Sequence, residues 1–317
     1  MIITRPIICL LISLLLAACA TQDNINPSQV VAQSTPDRPT PFTVERFNLP
    51  GPVAGIVVKV DLTDPRVAVK VALADDRDPD GDGPCVGLLD TTSSAAKRLD
   101  FDVTMNASFF AAPTSKVVKG RKISYFVGNC TFPEGWHFSG GKLVSKPIKD
   151  TLRATIIVHA SGKISVEDNL HELPADTRYA VSGSATVLKS GIPIISTATA
   201  VRHPRSSVGI SADGATLVML AVDGRQATVE ESPYRRIHSR GATLQELGEL
   251  MRGFGASDAI NLDGGGSTAI VLKDPHTGVF TVANQPSDAS TLGIPVAIER
   301  PVADVIGIKV ERGAGGR

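Results

Sequence analysis

The residues best suited to chemistry lie together near the C-terminal end, in Asn261-Leu262-Asp263-Gly264-Gly265-Gly266-Ser267-Thr268, between apolar Ala259-Ile260 and Ala269-Ile270-Val271-Leu272. One acid, three successive glycines and two hydroxyls between apolar runs predict a strand, a tight polar turn, and a second strand or helix start. Glycine has no Cβ, so peptide N–H groups there can come close to a ligand. A plain hairpin seldom needs three glycines beside an acid and two hydroxyls. The turn therefore reads as functional, with Gly264, Gly265, Gly266 and Ser267 as ligand contacts and Asp263 at its lip.

A second set of charges frames a predicted hairpin. Residues 206–211 and 216–223 read as a pair of strands around the hairpin signal Ala212-Asp213-Gly214-Ala215, and antiparallel pairing sets the start of one beside the end of the other. Arg205 then comes toward Asp223 and Arg225. A guanidinium binds phosphate bidentately, so either arginine can hold an anionic substrate group, with an Arg205–Asp223 ion pair as the structural alternative. Asn106, at the end of a strand predicted over 101–105, offers donor and acceptor to a sugar hydroxyl or phosphoryl oxygen, or else forms a turn. No serine triad or zinc-ligand spacing stands out.

Other elements must position these groups. Dense Val, Ile and Ala predict strands over 53–62 and 66–73 about Thr63-Asp64-Pro65, and further strands over 154–159, 163–166, 179–188 and 279–283, with a closing strand over 300–308. Thr91 or Thr92 can cap a short helix over 93–99. The clearest helix covers 243–254, where Thr243 and Glu246 form a capping box and Leu244, Leu247, Leu250, Met251 and Phe254 make one apolar face. Residues 111–149 read as an insertion bearing Tyr125, Phe126, Trp136, His137 and Phe138. Its aromatics either line a site or form a satellite hydrophobic cluster.

Composition sets the class. The chain is 42% hydrophobic with formal net charge zero, which gives ample core and no electrostatic footprint for nucleic acid. Arg5 followed by an apolar run over 7–16 has the layout of a secretory signal over 1–18. Its end, Leu16-Ala17-Ala18-Cys19, resembles the lipobox of bacterial lipoproteins. That likeness implies cleavage before Cys19, its lipidation, and export to the cell envelope with a membrane anchor, with Ala20 favouring the outer membrane. Residues 19–41 are polar and read as a flexible tether, residues 42–311 as the folded domain, and 312–317 as a tail.

Two features stand apart from the chemistry. Cys85 and Cys130 are the pair left in the exported domain, most simply as a disulfide. Asp78, Asp80 and Asp82 with Gly83 reproduce the first half of a calcium loop, but its closing position falls on Leu89. A structural calcium and a solvated acidic loop both remain open there.

In order, Asn106-Ala107-Ser108-Phe109-Phe110, Arg205-Ser206-Ser207-Val208-Gly209-Ile210, Val222-Asp223-Gly224-Arg225, the 243–254 helix, residues 260–267, Asn284 with Pro286-Ser287, and Arg300-Pro301-Val302 together resemble the phosphodiester glycosidase family. The resemblance implies an α/β (α+β) fold, a mixed, largely antiparallel sheet packed by helices in a single catalytic domain. It also implies hydrolysis of a carbohydrate phosphodiester between a sugar anomeric carbon and a phosphate oxygen, with no required cofactor. Glycoside hydrolysis commonly uses two carboxyl groups, which selects Asp223 and Asp263 as the catalytic pair. Asn106, Arg205, Arg225, the glycine amides, Ser267 and Asn284 would then hold substrate. The competing class is a non-catalytic glycan-binding envelope lipoprotein, or an accessory protein of exopolysaccharide metabolism.

Overall fold

The strand Thr216–Val222 sets the layering. Leu217, Met219 and Ala221 enter one buried cluster, while Val218, Leu220 and Val222 enter another, because successive strand side chains point to opposite faces. Both faces are covered, so the run reads as continuously apolar. Val53–Asp61 behaves alike, with Ile56, Val58 and Val60 on one side and Val57 on the other.

The computed structural model describes residues 39–81, 83–118, 120–148, 153–194, 201–225, 239–288 and 298–312. Apart from Pro39 they lie in one compact unit, Thr40–Arg317. The expectations for the 1–18 signal, Cys19, most of the tether, Asp82 and residues 313–317 fall outside the described residues.

Three larger sheets share the first cluster, which draws on Ile56, Met105, Ile156, Val208, Ile260 and Ile306 among others. A seven-stranded sheet runs in the order Phe42–Leu49, Val53–Asp61, Thr216–Val222, Arg205–Ile210, Asp258–Asn261, Ala185–Lys189, Ile192–Pro193. One five-stranded sheet is built around Thr177–Ser182 and Thr155–His159, and another around Val103–Asn106 and Asp304–Val310. The helix Leu244–Gly253 covers the outer face of the seven-stranded sheet through Leu247 and Met251, and carries the capping box read from the sequence. The helix Thr92–Leu99, capped by Thr91, packs Ala95 near Phe101 and Val305.

The expected mixed sheet packed by helices needs correction. Every strand pairing among the described residues is antiparallel, and two α-helices cover only part of the outer faces. The protein is largely β. A strand buried on both faces looks the same in sequence whether a helix or a second sheet covers it. The single strand expected over 179–188 is two strands, Thr177–Ser182 and Ala185–Lys189, in different sheets. Between them a Cβ on Gly183 would stand 2.1 Å from the Asn261 carbonyl oxygen, so only glycine lets the chain cross there.

Cys85 and Cys130 form the expected disulfide, with Cα atoms 5.5 Å apart. Trp136 and His137 are buried, and the Trp136 indole donates to the Leu170 carbonyl at 3.1 Å. That part of the insertion is core.

Candidate active site

Three neighbouring strands bring the candidate groups to one end of the seven-stranded sheet. Arg205–Ile210 lies between Thr216–Val222 and Asp258–Asn261 and runs opposite to both, with Arg205 paired to Val222 and Ser207 to Asn261. Asp223 and Asp263 therefore emerge on either side of the start of the central strand. Their backbones are about two strand spacings apart, on the order of 10 Å.

Asp223 is 2% exposed. Its Oδ1 accepts the Gln285 backbone N–H at 2.9 Å and the Asn284 side-chain amide at 3.2 Å, while Oδ2 has no hydrogen-bond partner among the described residues. Burial pushes its carboxyl up to about 6, opposed by those two donors and the Arg46 charge. Asn284 also donates to the Thr268 carbonyl at 3.1 Å and accepts the Ile270 N–H at 2.8 Å. Its amide thus joins Asp223 to the end of the glycine turn.

Asp263 keeps some exposure as a residue, but its carboxyl is enclosed, and burial pushes it up to about 6. The Ser267 hydroxyl, the Arg300 charge and the Gly264 N–H favour its charged form, and the negative charge of Asp304 opposes it. The Ser267 Oγ is buried with no hydrogen bond of ordinary geometry, so it acts on the carboxyl as a nearby dipole. Asn106 fixes the loop from beneath. Its Nδ2 donates to the Asp263 carbonyl at 2.7 Å, and its Oδ1 accepts from Ser206 Oγ at 2.7 Å and Ala269 N at 3.1 Å. Asn106 is wholly buried, so the expected contact with a sugar or phosphoryl oxygen gives way to a positioning role.

The glycines serve guanidinium groups more than free amides. The Gly265 N–H donates to the Pro204 carbonyl at 2.9 Å, so the expected row of open donors is partly used within the protein. A Cβ on Gly265 would meet Arg225 Nη1 and Nη2 at 3.1 Å, and one on Gly266 would meet Arg300 Nη2 and Asp288 Oδ1 at 2.4 Å. Two arginines therefore lie flat against the turn, which only a bare peptide permits. Arg300 is held by Asp288, its Nε and Nη2 donating to Oδ1 at 3.1 and 2.7 Å.

Arg225 adopts φ +54°, a left-handed conformation uncommon for a long side chain and of a kind found at functional sites. Burial and the Arg300 charge lower its pKa, while Asp288 and Asp263 raise it. Its Nη2 lies 3.2 Å from His203 Nδ1. Burial first, then Arg205 and Arg225, lower the His203 pKa, so a neutral imidazole accepts that hydrogen bond. Arg205 departs from expectation. Its Nε donates to the Ala242 carbonyl at 3.0 Å and its Nη2 to the Val201 carbonyl at 3.3 Å, and it makes no ion pair with Asp223. It braces the neighbouring chain, and an anion at the glycine turn would meet Arg225 and Arg300 instead.

Sequence reasoning passed over a further group behind Asp263. Asp304 is wholly buried and accepts the Ser108 N–H at 2.7 Å, the Ser108 hydroxyl at 2.8 Å and a His137 Nδ1 contact at 2.7 Å. Ala107 links the two acids, since its N–H donates to the Asp304 carbonyl and its own carbonyl accepts the Asp263 N–H. Only the position of Ser108, two residues after Asn106, could have signalled this group.

No cluster of three or more His, Cys, Asp or Glu side chains able to hold a metal ion occurs among the described residues. Asp78 Oδ1 accepts the N–H groups of Asp80 and Gly81, and Asp80 Oδ2 that of Cys85, so these carboxylates shape their own turn. Clefts of about 320 and 590 Å³ open elsewhere, lined by residues such as Gly140 and Tyr179 or Lys163 and Asp213.

A profile of phosphodiester glycosidases matches residues 100–309, which hold every residue of the site. Among solved structures, the catalytic domain of zebrafish N-acetylglucosamine-1-phosphodiester alpha-N-acetylglucosaminidase, auto-inhibited by its pro-peptide, is 21% identical, with 88% of this chain and 86% of that one covered at a TM-score of 0.57. A putative exported protein from Burkholderia pseudomallei is 15% identical, covering 81% and 74% at a TM-score of 0.51. A hypothetical protein from Synechocystis is 14% identical, covering 85% and 62% at 0.50. At such identities these structures share the fold alone. No curated protein sequence matches the chain.

Proposed function

Because the chain belongs to the phosphodiester glycosidase family, we propose that it is a hydrolase that splits a sugar 1-phosphodiester between the anomeric carbon and the phosphate oxygen. One observation carries this reading: at one sheet end, two guanidinium groups laid against Gly265 and Gly266 act on the enclosed carboxyl of Asp263, and Asn284 ties the second enclosed aspartate, Asp223, to the end of the same turn.

The charges divide the labour. A phosphodiester placed over the glycine turn meets Arg225 and Arg300, which stabilise the negative charge that grows on the phosphate as the C1–O bond breaks. Asp263 lies on that side, since Arg225 and Arg300 both feel its charge. Protonated, it donates to the departing oxygen, and an anionic substrate nearby favours this protonated form. Asp223 has one oxygen fixed by Gln285 and Asn284. Ionised, it turns the other toward the anomeric carbon, as base for water or as nucleophile.

The substrate in this reading is a cell-envelope or exopolysaccharide-type glycan, and the protein is exported and lipid-anchored through Cys19. The Leu16-Ala17-Ala18-Cys19 sequence supports the anchor, and a disulfide suits an oxidising compartment. A panel of glycosyl phosphodiesters, with release of the phosphate ester followed directly, tests the chemistry. Binding without turnover across the panel would favour the non-catalytic glycan-binding class. Radiolabelled palmitate carried by the full chain but absent from Cys19→Ala tests the anchor.

A further inference from the structure

The first part of the insertion, before the buried Trp136 and His137, carries an exposed arm. Lys116–Val118 and Arg121–Ile123 pair as a hairpin, and the chain then passes through Tyr125 to Asn129. The base of this arm is firmly tied. Asn129 Nδ2 donates to the carbonyls of Ser124 at 2.6 Å and Thr114 at 3.1 Å, Gly128 N donates to the Leu89 carbonyl at 2.8 Å, and the Cys85–Cys130 disulfide follows at once.

Tyr125 is 44% exposed, much for an aromatic ring in a tied loop. It is nevertheless fixed. Arg300 lies 4.4 Å from its ring centroid, and the Phe110 ring meets it nearly at right angles with centroids 5.7 Å apart. The same guanidinium rests against Gly266. Arg300 thus touches both the turn that would seat the phosphate and an aromatic ring still open to solvent.

We propose that Tyr125 is a stacking platform for a sugar ring on the far side of the phosphate, and so a specificity-determining residue that favours sugar-bearing over small-alcohol diesters. This rests on the phosphodiester hydrolase reading. Sugar rings present flat C–H faces that pack on aromatic rings, and a ring held in place by its neighbours loses little freedom on binding. Asp263 lies at the glycone end of the phosphate in the proposed mechanism. The ring beyond Arg300 therefore serves the leaving group.

The test compares two diesters that share the glycone cleaved best in the panel, one esterified to methanol and one to the 6-hydroxyl of methyl glucoside. For each, kcat and KM are measured on the wild type, Tyr125→Phe and Tyr125→Ala, with melting temperature confirming the fold. The expected result is that the kcat/KM preference for the sugar-bearing diester falls about tenfold in Tyr125→Ala, mostly through KM, and survives in Tyr125→Phe. Equal losses on both diesters would overturn the platform and leave Tyr125 as a prop for Arg300, with the hydrolase reading intact. A wild type that cleaves and binds no diester would overturn both.

Discussion

Arg225 lies so close to Gly265 that a Cβ there would stand 3.1 Å from both terminal guanidinium nitrogens. Gly265 also has φ +63°, so Gly265→Ala combines backbone strain of about 1–2 kcal/mol with displacement of a phosphate-binding group. Gly214→Ala isolates the first effect, since Gly214 has φ +72° and open space around its Cβ position. Both variants should melt earlier. Gly265→Ala alone should lose tenfold or more in kcat/KM, and equal kinetic effects would remove Arg225 from the site.

Activity should depend on pH as a bell centred near pH 6. Asp223 must be ionised and Asp263 protonated, and burial sets both near 6. The acid limb of kcat/KM then reports loss of the Asp223 anion, and the alkaline limb loss of the Asp263 proton. A rate flat from pH 5 to 8 would contradict this division of roles.

The same shifts have a cost in stability. Both carboxyls have folded-state values of about 6 against an ordinary aspartate value of 3.8, so folding favours the protonated form. The stability they contribute is whole below about pH 3.8 and is lost as pH rises through about 6. For buried Asp223 the loss is on the order of 3 kcal/mol at most. Asp223→Asn should therefore abolish turnover yet raise the melting temperature at pH 8 relative to wild type, with the gain shrinking at pH 4. A variant less stable than wild type at both pH values would count against the shift.

Asn284 reaches Asp223 at 3.2 Å and the Thr268 carbonyl at 3.1 Å. Its replacement by alanine removes one of the two donors to Asp223 Oδ1, leaving the Gln285 N–H, and unties the turn. The expected loss is in kcat, by about 10- to 100-fold, because orientation of a reacting group is what is lost. A change confined to KM would make Asn284 a direct substrate contact, as the sequence first suggested.

Much of this site was legible because its pieces are local. The acid and three glycines of the 263–266 turn and the 205–225 hairpin announce themselves by residue type and spacing. Arg205 was placed correctly at the sheet end, but of its two readings the ion pair with Asp223 does not form, since a register fixes where a backbone lies and leaves the direction of a long side chain open. Asn106 was read from its chemistry as a contact for a sugar or phosphoryl oxygen, or as a turn-former, and is instead claimed by Ser206, Ala269 and Asp263. Arg300, Tyr125 and the Asp304–His137 pair, 167 residues apart, meet only through tertiary packing. The three-sheet arrangement was hidden for a similar reason, because residues such as Val57 and Val218 are equally apolar whether a helix or a sheet covers them.

The disulfide should matter for the arm that carries Tyr125. Cys85 and Cys130 are 45 residues apart, and closing a loop of that length stabilises by about 4 kcal/mol at most in the chain-entropy account. Cys85→Ala with Cys130→Ala should lower the melting temperature markedly. It should also raise KM for sugar-bearing diesters more than kcat falls, because the tie lies beside Asn129 rather than beside the aspartates. An unchanged melting temperature would show that the tie contributes little.

Asp304 offers the sharpest test of how Asp263 is tuned. It is wholly buried, receives Ser108 and His137, and its negative charge raises Asp263. Removing that charge in Asp304→Asn keeps the side-chain volume and should let Asp263 ionise more easily, so the alkaline limb of kcat/KM moves to lower pH. His137→Leu leaves the Asp304 charge in place but strips one of its partners. It should cost about 1.5–3 kcal/mol of stability, the usual worth of a hydrogen bond to a charged group. If Asp304→Asn only lowers the melting temperature and leaves the alkaline limb where it was, the acid is a structural anchor, and the elevation of Asp263 comes from its enclosure alone.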